Sequence, residues 1–199
     1  MAESLLEYIA HYTLLDDSEV AALDRLVKKQ HFEKNEIIFT EGKVSNEIYF
    51  VTKGCVRLFY NVEGRDRTAF FYTEGQFICA GESFTFHIPA KENYQAIEGT
   101  ELYVFSKPSI DKLLEISSKF ELIARIAVEN ELIVCQNIIA SFVTKSAEER
   151  YVDLLETNGE LFQRVPQQYI ASFLGISPET LSRIKRRVFT KRILDDRQE

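Results

Sequence analysis

The sequence predicts an α+β chain in three parts: an all-β sandwich or barrel-like roll with flanking helices over residues 1–116, a long helix over 117–144, and a helix-turn-helix unit over 145–199. Three observations carry this expectation. Between Gln30 and Ser106, short runs rich in Val, Ile, Phe and Tyr alternate with glycine turn signals about every ten residues. From Ser117 to Thr144 a helical pattern runs without Gly or Pro. The stretch Val165 to Arg187, VPQQYIASFLGISPETLSRIKRR, reads as two amphipathic helices around a tight joint.

In chain order, Leu5, Leu6 and Ile9 mark one apolar stripe, and Asp17-Ser18 can cap a second helix bearing Val20, Leu23, Leu26 and Val27, so residues 3–29 are expected to be helical. The strand candidates are Ile37–Phe39, Glu47–Val51, Cys55–Tyr60 and Thr68–Tyr72, each followed by a turn, with Glu63-Gly64 closing a hairpin that pairs Val56–Tyr60 with Thr68–Tyr72. Beyond Pro108 the period becomes helical: Ser109 or Asp111 starts a short helix, and the long helix follows. In it Ile123, Ile126, Asn130, Ile133, Asn137 and Ala140 recur at alternating intervals of three and four, the spacing of a two-stranded coiled-coil seam. The two asparagines lower stability and favour a parallel, in-register homodimer. Leu122, Leu132, Val134, Ile138 and Ile139 make the other faces apolar enough to pack on the roll. Ser146 caps a helix to about Leu155, and residues 157–160 form a turn.

In the opening stretch, Gly175 supplies the left-handed residue of the turn, Ser177 caps the next helix and Pro178 opens it. Ile176, Leu181, Ile184 and Val188 form an inward stripe. Glu179, Thr180, Ser182, Arg183, Lys185, Arg186 and Arg187 fall mostly on the other faces, and Gln167 sits at the head of the preceding helix. Glu179 and Arg183, one turn apart, suit cytosine N4 and guanine O6/N7 in the major groove of double-stranded DNA, and the basic run after them suits phosphates. An ordinary solvated hairpin would also carry charges, but it does not require the Gly turn, Ser cap, Pro start and inward stripe together. The expected recognition helix spans 178–190, continuing through Ile193 or Leu194 to a frayed tail from Asp195 to Glu199.

Charge agrees once it is divided. The chain carries −7 overall, yet residues 178–199 hold seven Lys/Arg against four Asp/Glu, and the first 177 residues hold 17 against 27. A basic end on an acidic body can bind DNA through that end, because nearby phosphate contacts outweigh screened distant charge. Cys55, Cys79 and Cys135 are scattered and odd in number, against a disulfide framework or a cysteine-bound metal, and suit reduced residues of a cytoplasmic protein. No signal-peptide pattern opens the chain, and no long uncharged apolar run predicts a membrane span.

A β-roll, a long helix and a helix-turn-helix in this order resemble the cyclic-AMP receptor protein/Fnr family of bacterial transcription regulators. The quoted reading head, IASFLGISPETLSRIKRR, carries the resemblance most specifically, and NEIYFVTKGCVRLFYNVEGRDRTAFFYTEGQFICAGESF carries it in the roll. The resemblance implies a double-stranded β-helix of the cyclic-nucleotide-binding kind, and bases read at the positions of Pro178, Glu179 and Arg183. Pro178 departs from the longer, often basic side chain of the family, and the chain ends too soon for the family's full β-hairpin wing. In members that bind cyclic AMP, a Gly-Glu pair holds the ribose and an Arg-Ser pair the phosphate. Gly81-Glu82, followed by Ser83, resembles the first pair, but the second is replaced by Pro89-Ala90-Lys91-Glu92-Asn93. A lone Lys91 beside Glu92 is a poor substitute for a bidentate guanidinium, so the expected effector is not cyclic AMP. Haem and iron–sulfur sensing by other members find little here: no cysteine precedes Cys55, and His87 is the lone histidine of the pocket region.

No cofactor or metal is expected, and the chain is read as no enzyme. A cupin-like enzyme is the alternative from another class, but it needs clustered histidines, and His11, His31 and His87 are dispersed. A constitutive DNA- or protein-binding module is the other alternative, its roll filled by its own aromatics, with Phe77, Phe84, Phe86 and Tyr94 near the pocket. The expected partners are double-stranded DNA with a palindromic site, a second copy of the chain, and an unknown small-molecule effector. Activation would add RNA polymerase, for which no residue pattern marks a surface.

Overall fold

The structure, a computed structural model, describes residues 3–195. Helices α1 (Glu3–Ala10) and α2 (Asp17–Leu26) come first. The cap of α2 is Asp16 rather than the expected Asp17-Ser18. Its carboxylate accepts from the N–H groups of Ser18 and Glu19, while Glu19 accepts from the N–H of Asp16 at 2.7 Å, so two orphan donors are satisfied reciprocally.

The roll then begins with β1 (Lys28–Phe32), which takes the last two residues of the stretch expected to be helical, and continues with β2 (Ile37–Phe39), β3 (Glu47–Lys53), β4 (Val56–Val62), β5 (Arg65–Tyr72) and β6 (Phe77–Ile78). The short helix α3 (Gly81–Phe86) precedes β7 (Asn93–Ala96) and β8 (Thr100–Ser106). These strands make two antiparallel four-stranded sheets, ordered β1-β8-β3-β6 and β2-β7-β4-β5. Both sheets feed one core, including Phe32, Tyr49, Val51 and Leu102 from the first and Val56, Phe70, Tyr72 and Tyr94 from the second. The predicted hairpin forms. Val56 pairs with Tyr72 and Leu58 with Phe70, then Phe59 pairs with Thr68, so Ala69 is an extra residue in a β-bulge. Its two-residue loop needs positive φ at both positions, and Glu63 and Gly64 supply φ values of 53° and 74°.

Four helices of the C-terminal half follow α4 (Lys107–Ile116) and α5 (Ser118–Thr144): α6 (Ala147–Thr157), α7 (Leu161–Arg164), α8 (Gln167–Phe173) and α9 (Pro178–Asp195). Ser106 caps α4, displacing the expected Ser109 and Asp111, because Pro108 is accommodated inside the first turn. Ser117 caps α5, and Ser146 with Glu149 forms a capping box on α6. Residues 196–199, most of the tail expected to fray, lie outside the described residues.

Helices α1, α2 and α4 cover the outer face of the first sheet, burying Leu5, Ile9, Leu23 and Leu113 against Phe50, Tyr103 and Phe105. Helix α5 starts in that cluster through Phe120 and Ile123 and then runs along the roll, where Ile138 packs against the roll core. Tyr72 donates to the Glu131 carboxylate at 2.9 Å. Ile123 therefore leaves the expected seam, because α1 and α4 already occupy its face. Among the other seam residues, Asn130 donates to the Tyr12 hydroxyl at 3.3 Å, Ile126 is half-buried, and Ile133, Asn137 and Ala140 are exposed. On another flank Val128, Leu132, Ile139 and Val143 are exposed too, Val143 by 80%. By length and composition α5 could cross a membrane, which the sequence reading does not anticipate. Its half-buried Glu131 and its docking along the roll give its apolar residues another use.

Candidate nucleic-acid interface and effector pocket

The reading head is built by a turn that only glycine makes cheaply. Helix α8 ends at Leu174, Gly175 takes φ +70°, and its N–H donates to Ser172 O while that of Ile176 donates to Ala171 O. Ser177 then caps α9, its hydroxyl accepting from the Thr180 N–H at 3.2 Å, and Pro178 occupies the first helical position. Leu181, Ile184 and Val188 are buried with Ile170 and Ala171 of α8, its C-cap Leu174, and Tyr151 and Leu154 of α6, and Ile176 packs at the edge. Each buried aliphatic side chain stabilises the pair by roughly 1.5–3 kcal/mol, so the orientation of α9 is fixed from behind.

In front, Ser177, Pro178, Glu179, Ser182, Arg183, Arg186 and Arg187 are exposed, as is Gln167 at the start of α8, whereas Thr180 and Lys185 are half-buried. Arg183 donates to the Thr180 hydroxyl at 3.0 Å, which holds the guanidinium beside the first turn. Hydrogen bonds from Ser177 and from its own N–H hold the Glu179 carboxyl below the usual range, so it presents acceptors only. Arg187 pairs with Glu148 of α6 and is tied to the body of the head.

Three arginines outside the expected site tie this head to the roll and to the long helix. Arg57 of β4 is 1% exposed. It donates to Gln95 Oε1 at 2.8 Å and Asp66 Oδ2 at 2.6 Å, and its guanidinium lies between the rings of Phe59, 4.0 Å away, and Tyr169 of α8, 3.8 Å away. Arg164 donates to Glu74 at 2.9 Å and Glu98 at 2.7 Å. Burial opposes its charge, but these hydrogen bonds outweigh that and raise its pKa. Arg150 of α6 donates to Lys145 O at the end of α5 and to Leu174 O at the turn, with its guanidinium over Phe142. Phe142 lies so near that a Cβ added at Gly175 would meet it at 3.1 Å. The sequence signal for Arg57 is a charge inside the strand run CVRLFY, since such a residue must be paired if the strand is covered on both faces.

The expected effector residues do converge, but on one another. Gly81 and Glu82 open α3, and Lys91 Nζ lies 3.0 Å from Glu82 Oε2, an exposed ion pair. The hydrogen bond to Glu82 raises the Lys91 pKa, and Glu92 accepts from the Lys91 N–H. Ser83 is buried in a structural role, accepting from Ser45 N–H and donating to Ile88 O. A cyclic phosphate would find no guanidinium among these residues and a lysine already ion-paired with Glu82, so they do not fit it. Inside the roll, Tyr94 donates to Cys79 O and packs near Tyr72 and Phe39. Of the four aromatics expected to fill the pocket, Tyr94 alone belongs to the roll core. Phe77 packs outside the roll core with Tyr8, Phe50 and Phe105, Phe84 lies under Lys107, and Phe86 is exposed.

Two cavities flank α5 instead. One of about 140 Å³ is walled by Tyr8, Tyr72, Gln76, Asn130 and Glu131, and one of about 620 Å³ opens between β5, α5, α6 and α8. Among the described residues no group of three or more His, Cys, Asp or Glu is placed to hold a metal ion.

This architecture defines a class. Residues 29–117, the roll with its last flanking helix, match the family described as the cyclic nucleotide-binding domain. The chain is 25% identical over 191 residues to the nitrogen fixation regulation protein FixK of Bradyrhizobium diazoefficiens, spanning 89% of this chain and 76% of that one. Its fold is similar to FixK2 from Bradyrhizobium japonicum, with a TM-score of 0.70 and 22% identity over 83% of this chain and 85% of that one. A CooA mutant from Carboxydothermus hydrogenoformans shares the fold at a TM-score of 0.69 and 18% identity, covering 96% and 87% of the two chains.

Proposed function

We propose that the chain is a homodimeric, DNA-binding transcription regulator acting in the bacterial cytoplasm, with α9 seated in the major groove of a palindromic site. The observation that carries this reading is the two-sided character of α9: Leu181, Ile184 and Val188 are buried, while Glu179, Ser182, Arg183 and Arg186 stand exposed on the other side. Glu179 and Arg183 read base edges, and Gln167, Ser177, Thr180, Lys185, Arg186 and Arg187 contact or orient toward phosphates, Arg187 after release from Glu148. Residues 1–116 form the sensory unit, 117–144 the dimer helix and 145–199 the DNA-binding unit. The exposed apolar residues of α5, including Ile133 on the expected seam, support pairing with a second copy. The likeness to FixK, a nitrogen fixation regulation protein, supports the role.

The experiment is selection of duplexes from a random pool by the full chain, followed by titration of the winner at low and high salt. A two-arm palindrome is expected, with affinity falling steeply as salt rises. Absence of binding to any duplex at low salt would sink this reading.

A second reading, regulation without a small effector in the roll, is favoured by the Tyr72–Tyr94 packing and the Lys91–Glu82 pair. It expects no thermal shift with cyclic AMP at millimolar concentration, and a shift of several degrees would reverse it.

A further inference from the structure

The bulge in the β4–β5 hairpin bears on the reading head. At Ala69 the ladder shifts its register, and β5 is the edge strand of its sheet, so the neighbouring Thr68 N–H can point away from β4. That N–H donates instead to Ser172 Oγ of α8 at 2.9 Å. Next to Ser172 on α8, Phe173 packs on Phe71 of β5 with ring centroids 5.4 Å apart, and on the other side Tyr169 closes the stack over Arg57. Three side chains of α8 thus meet three features of one hairpin, and the guanidinium under Tyr169 is held from behind by Asp66, Gln95 and Thr68. The exposed side of α9 takes no part in this contact.

We propose that the β4–β5 hairpin is the seat that sets the angle of α8, and through it of α9, with Arg57 as a positioning residue acting through Tyr169. The inference rests on the DNA-reading role and specifies how two heads are held ready for one palindrome. A buried cation stacked on an aromatic face is directional, and here it spans the two units. With the seat intact, binding of one head leaves the second at the correct spacing, so the two arms bind as a linked pair. With the seat loosened, each head still reads its arm, but the effective concentration of the second falls.

The test uses Tyr169→Leu and Tyr169→Phe in the full chain, leaving the roll's own residues untouched. The selected duplex and a version with one arm scrambled are the DNA probes, and backbone hydrogen exchange in α8 is the second readout. Tyr169→Leu is expected to lose about tenfold for the two-arm duplex and less than about twofold for the one-arm duplex. Exchange in α8 should rise while the roll strands stay protected. Tyr169→Phe, which keeps the ring, should behave as the parent in both. Unchanged α8 exchange in Tyr169→Leu, equal losses on both duplexes, or equal losses in the two variants would overturn the seat. If the parent chain selects no duplex, the DNA-reading role fails, while a rise in α8 exchange confined to Tyr169→Leu still supports the seat.

Discussion

Arg183 and Arg186 are both exposed on α9, yet their expected losses differ in kind. If Arg183 reads a base edge as proposed, Arg183→Ala should cost about 1–3 kcal/mol on the selected site with relaxed preference at one base pair. Arg186→Ala should weaken all duplexes alike and reduce the salt slope by about 1. Competition binding against single-base variants separates the two. Gly175 is constrained twice, by φ +70° and by Phe142 at 3.1 Å from an added Cβ. Gly175→Ala should therefore destabilise the head by about 1–2 kcal/mol in thermal unfolding, with the larger part from backbone strain if Phe142 gives way. Glu131 titrates with a definite sign. Burial raises its carboxyl, and the Tyr72 hydrogen bond offsets that only partly, so its ionisation opposes folding. The associated stability is present below the ordinary glutamate range and is lost as pH rises through the raised value. Glu131→Gln should flatten that fall, and unfolding midpoints from pH 4 to 8 check it.

Among the elements, the strands between glycine turns and the two-helix head were the most legible in sequence, because alternation, Gly175, Ser177 and the 181-184-188 stripe are local signals. The helix starts at Asp16 and Ser106 were misplaced by one to a few residues, since several Asp and Ser side chains compete and only packing chooses among them. The seam on α5 was legible as a period but not as a face. A helix apolar on most sides does not say which stripe meets its own roll, and Ile123 went to the N-terminal helices. Ile133, exposed and on the expected seam, is the informative position. Ile133→Asp should shift the full chain from dimer to monomer in sedimentation, with little change in secondary structure. Unchanged mass would move the contact to another face.

At the scale of the whole molecule, what the sequence left hidden was the contact between parts far apart in the chain. Arg57 and Tyr169 are separated by more than a hundred positions, and no periodicity links a roll strand to a head helix. The effector residues show the converse. Sequence places Glu82, Lys91 and Glu92 in one pocket region, but their pairing with one another is visible only in three dimensions. The Arg164 network gives a molecular prediction. Hydrogen bonds from Arg164 overcome burial and lower the Glu74 pKa, so this link persists at neutral pH and weakens as pH falls through the glutamate range. Salt should weaken it less than an exposed pair, and Glu74→Gln should raise protease cutting near Val165 at pH 7.

Cys55 lies in the apolar cluster that the roll shares with the head, and burial pushes its thiol up to about 12. While the two halves are joined, it is both covered and almost wholly protonated, so an alkylating reagent has no thiolate to attack. Each separation of the head from the roll uncovers it. The rate at which Cys55 is labelled is thus a clock for undocking built into the native sequence, with half-exposed Cys135 labelling faster as the internal reference.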